Sequence, residues 1–298
     1  MTPASFAFAF FVLGFAAGAR PPRDVRRAPD ATSASWLLAT DADSPAALSR
    51  RVLEVSRRFL GTPYVHSPLG EGAGVDPDPT IRFDAVDCLT FVEETLALSI
   101  ARNPAEVPAI LEELRYARLP RYEERNHLME AQWLPNNLRK GFVRDVTREF
   151  GGAATVRSEK KITAESWTSP SSRILNLPRT ARVTGTFELE VVPLPVALAR
   201  VRHIAPGTIL LVVRADHPRK VTRVTHLGFV VQKRKRTYLR HAARSRYHRV
   251  VDEELVTFLT RNARYAKWPV TGISLLEPSV PTRGAIPRVT ATASTDAP

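Results

Sequence analysis

The hydrophobic pattern of this chain changes character at Gly151-Gly152, and that change constrains the fold more than any other feature. Before it, apolar residues recur at helical spacing; after it, short runs are rich in β-branched residues, as in strands. The pattern predicts helices at 45–60, 84–103, 105–116, 138–150 and 252–262, and strands at 154–156, 182–192, 208–213, 222–232, 237–242 and 272–276. This order predicts an α+β protein, in which a helical half (45–150) packs on an antiparallel sheet or barrel half (151–278).

The two ends of the chain have the composition of segments outside the folded domain. Residues 4–18 form the longest apolar run, which is shorter than the roughly 18 residues that span a bilayer. The run precedes Ala17-Gly18-Ala19, which fits a small-x-small cleavage site. We therefore expect a signal peptide at 1–19, a linker at 20–44 and a disordered tail at 279–298. The mature protein is expected in the periplasm or outside the cell, with no membrane span.

Composition and charge exclude several classes of protein. A single cysteine excludes a disulfide framework and any zinc site built on several cysteines. The formal net charge of +13 could attract polyanions. The arginines are scattered, however, and no nucleic-acid-binding motif is present. We expect a solvated basic surface and no nucleic-acid partner.

Three side chains could form a nucleophilic site. Cys88 follows Asp87 at the start of the second predicted helix, where the helix N-terminus favours a thiolate. His226 lies on an apolar predicted strand next to Gly228, which permits a close backbone approach. His241 lies on the next strand, joined by the short basic turn at 233–236, so the two histidines can be neighbours. A thiol, a base and a group that orients the base form the generic nucleophile triad. Taken singly, each also fits a structural role, as a core cysteine, a sheet histidine and a surface histidine.

The sequence around these residues resembles the NlpC/P60 papain-like superfamily, and within it the DUF1460 branch, the N-acetylmuramoyl-L-alanine amidase-like group. The superfamily motifs are Asp87-Cys88-Leu-Thr-Phe-Val-Glu93, Gly61-Thr-Pro-Tyr64, Thr225-His226-Leu-Gly-Phe229 and Leu239-Arg-His241-Ala. The branch motifs are Pro68-Leu-Gly-Glu-Gly72, Glu124-Arg-Asn-His127, Gln132-Trp-Leu-Pro-Asn136 and Trp268-Pro-Val-Thr-Gly-Ile-Ser274. The resemblance covers about residues 44–278, which implies one papain-like catalytic domain at 45–278.

The resemblance also implies roles for particular residues. Cys88 would be the nucleophile, His226 the general base and His241 the residue that holds the imidazole. Five further residues would bind substrate: Tyr64 and Asp87 beside the nucleophile, and Asn126, His127 and Trp133 in a loop of the branch. Relatives in this branch resemble amidases that cut the lactyl–L-alanine amide of muropeptides. No cofactor or metal is implied, and we expect a monomer.

Three alternatives remain open from the sequence. The wider superfamily mostly cuts the γ-D-glutamyl–diamino acid bond, and the loops at 65–83 and 118–137 would decide which bond is chosen. A zinc amidase could be built from His127, His226 and His241, with Cys88 in the core. A protein that binds the cell envelope without catalysis could keep the same fold.

Overall fold

The computed structural model describes residues 44–281, which contain eight α-helices and eight strands. The helices are α1 Pro45–Arg58, α2 Cys88–Ile100, α3 Val107–Arg115, α4 Leu134–Lys140, α5 Thr147–Gly151, α6 Pro170–Arg173, α7 Leu194–Arg200 and α8 Leu255–Ala263. The strands are β1 Val143–Asp145, β2 Val156–Ile162, β3 Gly185–Pro193, β4 Ile209–Arg214, β5 Val224–Lys233, β6 Arg236–Ala243, β7 Arg249–Glu254 and β8 Val270–Pro278.

The strands form one eight-stranded sheet with the order β2-β3-β8-β4-β5-β6-β7, and β1 also pairs with β8. Every pairing is antiparallel. The α+β class and the antiparallel sheet predicted from the sequence are therefore confirmed. Strands β5 and β6 form the predicted hairpin, which brings the two candidate histidines to neighbouring strands.

Helices cover both faces of this sheet. One face presents Ile209, Leu211 and Phe229 to the core formed with α1, α2 and α3. The opposite face presents Leu210, Val212, Val230 and Leu239 to a second core that includes residues of α7 and α8. Each fully buried side chain of this size contributes roughly 1.5–3 kcal/mol through the hydrophobic effect. Strand β5, which carries His226, contributes side chains to both cores.

Local signals explain the ends of the first two helices. The Ser44 hydroxyl caps α1 by accepting a hydrogen bond from the Ala47 amide, and Pro45 occupies the first turn, where it costs no backbone hydrogen bond. Helix α2 begins at Cys88 with Asp87 as its cap, and it is buried along most of its length. A helix buried on all sides can hold the position of its first residue firmly.

The predicted helix at 138–150 is wrong. Gly141 has a φ of 79°, in the left-handed region that ends a helix, so α4 ends at Lys140. The short strand β1 and helix α5 follow in place of the expected helix. The predicted loop at 118–137 is also partly regular, because it contains a π-helical turn at Met129–Trp133 and the start of α4.

The second half contains elements that the sequence pattern did not indicate. Strand β2 lies at Val156–Ile162, later than the predicted 154–156, and α7 was not predicted. The predicted helix at 252–262 begins only at Leu255, because the residues before it form β7 and pair with β6. This correction places Glu253 on a strand beside β6.

The predicted segments at the ends remain predictions. Residues 1–19, the linker up to residue 43 and the tail from residue 282 lie outside the described residues. No helix in the described range 44–281 is long and apolar enough to cross a membrane.

Candidate active site

The first turn of α2 presents both the thiol and a free backbone donor. The Asp87 Oδ1 atom accepts hydrogen bonds from the Leu89 amide (2.9 Å) and the Thr90 amide (2.8 Å). The Phe91 amide donates to the Asp87 carbonyl (3.0 Å), which is the first bond within the helix. The four amides before it, from Asp87 to Thr90, have no partner inside a helix. Those of Leu89 and Thr90 are bonded to Asp87 Oδ1, and that of Asp87 donates to the Thr90 hydroxyl. The amide of Cys88 has no hydrogen-bond acceptor among residues 44–281. It is free to stabilise a negative oxygen formed next to the sulfur.

Asp87 also connects the helix to the loop at 65–83. Its second oxygen, Oδ2, accepts a hydrogen bond from the Ser67 amide (3.1 Å), and Ser67 has a left-handed φ of 49°. The Thr90 hydroxyl accepts from the Asp87 amide (2.9 Å), which completes a capping box. Asp87 therefore fixes the position of the loop at 65–83 relative to the start of α2.

Tyr64 is held beside Cys88 by backbone pairing. Its amide donates to the His248 carbonyl (2.9 Å), and the neighbouring chain pairs with Val86, two residues before Cys88. Burial, and then the neighbouring Cys88 and Asp87, raise the pKa of the Tyr64 phenol. The hydroxyl therefore stays protonated, and it has no hydrogen-bond partner in the described part of the chain. It is available as a second donor.

The two histidines form a directly bonded pair. The Nε2 atom of His226 lies 2.7 Å from Nδ1 of His241, and the ring planes are 88° apart. Gly228 allows this approach, since a Cβ atom there would lie 2.5 Å from the Arg240 carbonyl oxygen and 2.9 Å from Cβ of His241. The close approach expected at Gly228 is confirmed. Because Nε2 of His226 is occupied, its Nδ1 atom is the one left to exchange a proton with a nucleophile.

The sulfur of Cys88 lies against the strand segment that carries His226. The side chain is half-buried and packs against the core that includes Leu227. Burial, followed by the nearby Asp87 carboxylate, raises the pKa of the thiol, and this outweighs the opposing backbone amides of Cys88, Leu89 and Leu227. The amides at the helix N-terminus thus act in the direction expected from the sequence, but burial and Asp87 outweigh them.

His226 is likewise neutral. Burial, and then the neighbouring His241, Arg214 and Arg261, lower the pKa of His226 well below its ordinary value. No hydrogen bond joins the sulfur to this ring among the described residues. Attack by a neutral thiol beside a neutral imidazole would need the proton to move to the ring as the sulfur attacks, which is general-base catalysis.

Sequence analysis missed three residues that surround the pair. Glu253 on β7 has an oxygen, Oε2, 3.4 Å from Nε2 of His241, and its carboxylate also pairs with Arg261 on α8. The Phe258 ring packs on both imidazoles, with ring centres 5.6 Å from His226 and 5.1 Å from His241. Phe258 and Arg261 are one turn apart on α8, a spacing that could have indicated a shared face.

The other three predicted substrate-binding residues are buried or half-buried, and their side chains contact other groups of the protein. Trp133 is fully buried, and its Nε1 atom donates to Glu93 on α2 (2.9 Å). Asn126 is also buried, where it donates to the Leu114 carbonyl (3.1 Å). The ring of half-buried His127 contacts the Tyr122 carbonyl through Nε2 (2.7 Å). Asn126 and Trp133 use these polar atoms inside the protein, and substrate contact by them and by His127 stays a prediction.

The two facing nitrogens of the histidine pair are too close together to bind one zinc ion. Two nitrogen ligands of one tetrahedral zinc ion, each about 2.0–2.1 Å from the metal, lie more than 3 Å apart. The facing nitrogens of His226 and His241 are closer than that, at a hydrogen-bond distance of 2.7 Å. No group of three His, Cys, Asp or Glu side chains between residues 44 and 281 is arranged to hold a metal ion.

Comparison with known families places this site in context. A family model described as AmiA-like, N-acetylmuramoyl-L-alanine amidase-like, matches residues 54–265. The chain belongs to this family. The AmiA-like match includes Tyr64, Cys88, His226 and His241. The DUF1460 resemblance is therefore confirmed. A search of curated proteins finds no match.

Solved structures share the AmiA-like fold at low sequence identity. A Legionella pneumophila protein assigned to DUF1460 is 21% identical, with a TM-score of 0.68, over 79% of this chain and 91% of that chain. An N-acetylmuramoyl-L-alanine amidase from Bacteroides uniformis is 24% identical, with a TM-score of 0.62, over 78% of this chain and 99% of that chain. A putative xylanase from Bacteroides fragilis is 24% identical, with a TM-score of 0.59, over 74% and 98%.

Proposed function

We propose that this protein is an exported cell-wall hydrolase that cleaves the amide between the lactyl group of N-acetylmuramic acid and L-alanine in muropeptides. The observation that carries the proposal is the bonded pair of His226 on β5 and His241 on β6, together with the position of the Cys88 sulfur against β5. The match to an amidase-like family over residues 54–265 supports the reaction class. The Bacteroides uniformis structure, named as an N-acetylmuramoyl-L-alanine amidase, supports the bond.

The first half of the reaction forms a thioester. The Cys88 thiol gives its proton to Nδ1 of His226 while the sulfur attacks the carbonyl carbon of the lactyl amide. The carbonyl oxygen becomes negative, and the free amide of Cys88 and the Tyr64 hydroxyl are placed to donate to it. The protonated His226 then gives this proton to the alanine nitrogen, and the carbon–nitrogen bond breaks. The peptide leaves with a free amino group.

The second half regenerates the enzyme. His226 removes a proton from water, whose oxygen attacks the thioester carbon. The carbon–sulfur bond breaks, and the proton held by His226 returns to the sulfur. The sugar product leaves with a carboxyl group on its lactyl arm. His241 keeps the ring of His226 oriented through both halves, and no metal takes part.

The same arrangement supports placement in the NlpC/P60 papain-like superfamily. A cysteine at the start of a buried helix, against an antiparallel sheet that presents the base, is the arrangement that this resemblance implies. Membership of that superfamily would leave the γ-D-glutamyl bond as the second candidate substrate, since both reactions use the same three side chains. A zinc amidase is disfavoured by the direct hydrogen bond between His226 and His241, because it uses the nitrogens that a shared metal would need.

Mass spectrometry of the products from a defined muropeptide tests the proposed function. With N-acetylmuramoyl-L-Ala-γ-D-Glu-diaminopimelate, we expect N-acetylmuramic acid and a tripeptide that begins with L-alanine. Release of free diaminopimelate would instead show the endopeptidase. Activity should be unchanged in EDTA, whereas loss of activity with the chelator would favour the zinc amidase. Intact substrate after long incubation with wild-type protein would contradict both hydrolase proposals.

A further inference from the structure

Glu253 is buried in a position that can control the protonation of both histidines. Its side chain is 4% exposed, and that of His241 is 2% exposed. Nε2 of His241 lies 3.4 Å from Oε2 of Glu253, an ion-pair contact, and it has no hydrogen-bond partner among residues 44–281. Burial raises the pKa of Glu253, but the neighbouring His241 and Arg261 outweigh it and lower the pKa to about 2. The carboxylate is therefore ionised and can only accept hydrogen bonds.

An acceptor beside Nε2 of His241 determines which nitrogen carries the hydrogen in each of the two histidine rings. The Nε2 atom of His241 must carry a hydrogen to face Glu253, so Nδ1 of neutral His241 is an acceptor. His226 must then donate to that Nδ1 from its own Nε2 across 2.7 Å. This leaves Nδ1 of His226 without a hydrogen, which is the form that can take the proton of Cys88.

We propose that Glu253 is a positioning residue that sets the tautomer of the general base through His241. The proposal rests on the proposed function for its purpose, though not for its first test. Two further charged groups act on His226, namely Arg214 on β4 and Arg261 on α8. Of the three charged groups, the Glu253 carboxylate is the one that contacts an imidazole nitrogen.

Nitrogen NMR of protein labelled with ¹⁵N-histidine tests the proposal without turnover. In the wild type we expect both rings to carry the hydrogen on Nε2. In Glu253→Ala we expect His226 to gain a population with the hydrogen on Nδ1. Wild-type His226 protonated on Nδ1, or an unchanged tautomer in Glu253→Ala, would overturn the proposal. If Glu253→Ala does not fold, Glu253→Gln keeps the volume, and its amide can also present a donor to His241, so the same comparison applies.

Kinetics add a readout that separates positioning from stability. For Glu253→Ala, kcat should fall about 100-fold with little change in KM, since a wrong tautomer in a serine protease costs about 10⁴-fold. Removal of the negative charge should also move the acid limb of kcat/KM to lower pH, because it disfavours the imidazolium. Asp252→Asn is the matched control, since this buried neighbour on β7 pairs with Arg240 instead of the histidines. Equal kcat losses and unchanged pH profiles in both variants would assign Glu253 a structural role only.

A second, independent observation concerns the turn at 244–248 between β6 and β7. Arg244, Arg246 and Arg249 are exposed, and none forms an ion pair within the described residues, whereas Arg240 and Arg236 on the same hairpin are paired with acids. The turn follows the strand that carries His241, so Arg244 lies about 10 Å along the chain from it at about 3.3 Å per residue. The Tyr64 amide bonds to His248 in this turn.

One of these cations, Arg244, lies near Tyr64, the residue held beside Cys88. The positive charge of Arg244 is close enough to lower the pKa of Tyr64, against the larger effects that raise it. Arg246 is held over the Tyr247 ring at 5.3 Å and has a left-handed φ of 73°. In a muropeptide the sugar is neutral, and the carboxylates lie on the peptide. The charge of the turn is therefore complementary to the peptide side of the substrate.

We infer that the turn at 244–248, with Arg249, binds a carboxylate of the peptide stem and so sets which way the substrate lies across Cys88. This inference deepens the proposed function and rests on it. The opposite turn at 234–235, between β5 and β6, provides a matched control. Arg234 and Lys235 are also exposed, with left-handed φ values of 45° and 64°, but they lie at the other end of the same hairpin.

Binding to Cys88→Ala protein of two probes that differ in one group tests the inference. The probes are the γ-methylamides of N-acetylmuramoyl-L-Ala-D-glutamate, with a free α-carboxylate, and of N-acetylmuramoyl-L-Ala-D-isoglutamine, whose α-carboxyl is an amide. Only the first carries a carboxylate. We expect about fivefold tighter binding of the first, the size of an exposed charge pair. Arg244→Gln should abolish this preference, and Arg234→Gln should keep it. Equal binding of the probes, a preference that survives Arg244→Gln, or no binding of either probe would overturn the inference. Product release by wild-type protein decides separately on the proposed function.

Discussion

Replacement of Cys88 by alanine is expected to lower kcat by at least about 10⁴-fold, the scale seen when a nucleophile is removed from a hydrolase triad. The physical reason is that no other group can form the thioester, since Cys88 is the only cysteine in the chain. The fold should survive, because the side chain is half-buried at the start of a helix that is capped by Asp87 and not by the thiol. Turnover of a defined muropeptide, together with urea unfolding of the variant, measures both.

Cys88→Ser is the companion variant. The hydroxyl keeps the size and polarity of the thiol, but it is a far weaker acid, so His226 with a lowered pKa cannot deprotonate it effectively. We expect this variant to be inactive as well. Full activity in the alanine variant would remove the proposed mechanism and return Cys88 to the role of a core residue.

Trp133→Ala is expected to reduce the free energy of unfolding by about 3–5 kcal/mol, the cost of truncating a large buried aromatic side chain. Trp133 is fully buried, and its indole donates to Glu93 on the helix that carries Cys88. Burial raises the pKa of Glu93 to about 7, so this carboxyl depends on its few partners, the indole and Arg115. Urea unfolding at neutral pH measures the loss.

Trp133→Phe separates packing from the hydrogen bond. The phenyl ring fills much of the same space but cannot donate, so we expect a smaller loss of about 1–3 kcal/mol from the unpaired Glu93 oxygen. A loss of less than about 1 kcal/mol in Trp133→Ala would show that the indole is not part of the core. Trp133 would then be available to substrate, as the sequence resemblance implied.

The arrangement of Cys88, His226 and His241 was largely predictable, because it depends on signals from residues that are adjacent in the sequence. Asp87 before an apolar run predicts a helix start at Cys88, and a short turn between two apolar runs predicts that His226 and His241 are neighbours. Gly228 next to His226 predicts the close approach of the strands. Each of these features is read from a few adjacent residues, where hydrogen-bonding and steric rules apply directly.

Long-range electrostatics and irregular segments were not predictable in the same way. The raised pKa of Cys88 arises from burial and from Asp87, and burial is not visible in a sequence. Glu253 was assigned to a helix because acidic residues favour a helix start, yet pairing with β6 extends the strand through Glu254. Trp133 and Asn126 lie in a segment whose polar atoms bond to α2 and α3, contacts that only the tertiary structure reveals.

The most direct test of the central claim uses the single cysteine as a switch. Methyl methanethiosulfonate adds a small, reversible group to Cys88, and intact mass spectrometry gives the modified fraction. We predict that amidase activity falls in proportion to that fraction and returns when dithiothreitol removes the group. Protein that is fully modified at Cys88 and still releases L-alanine-headed peptide at the unmodified rate would contradict catalysis by this sulfur.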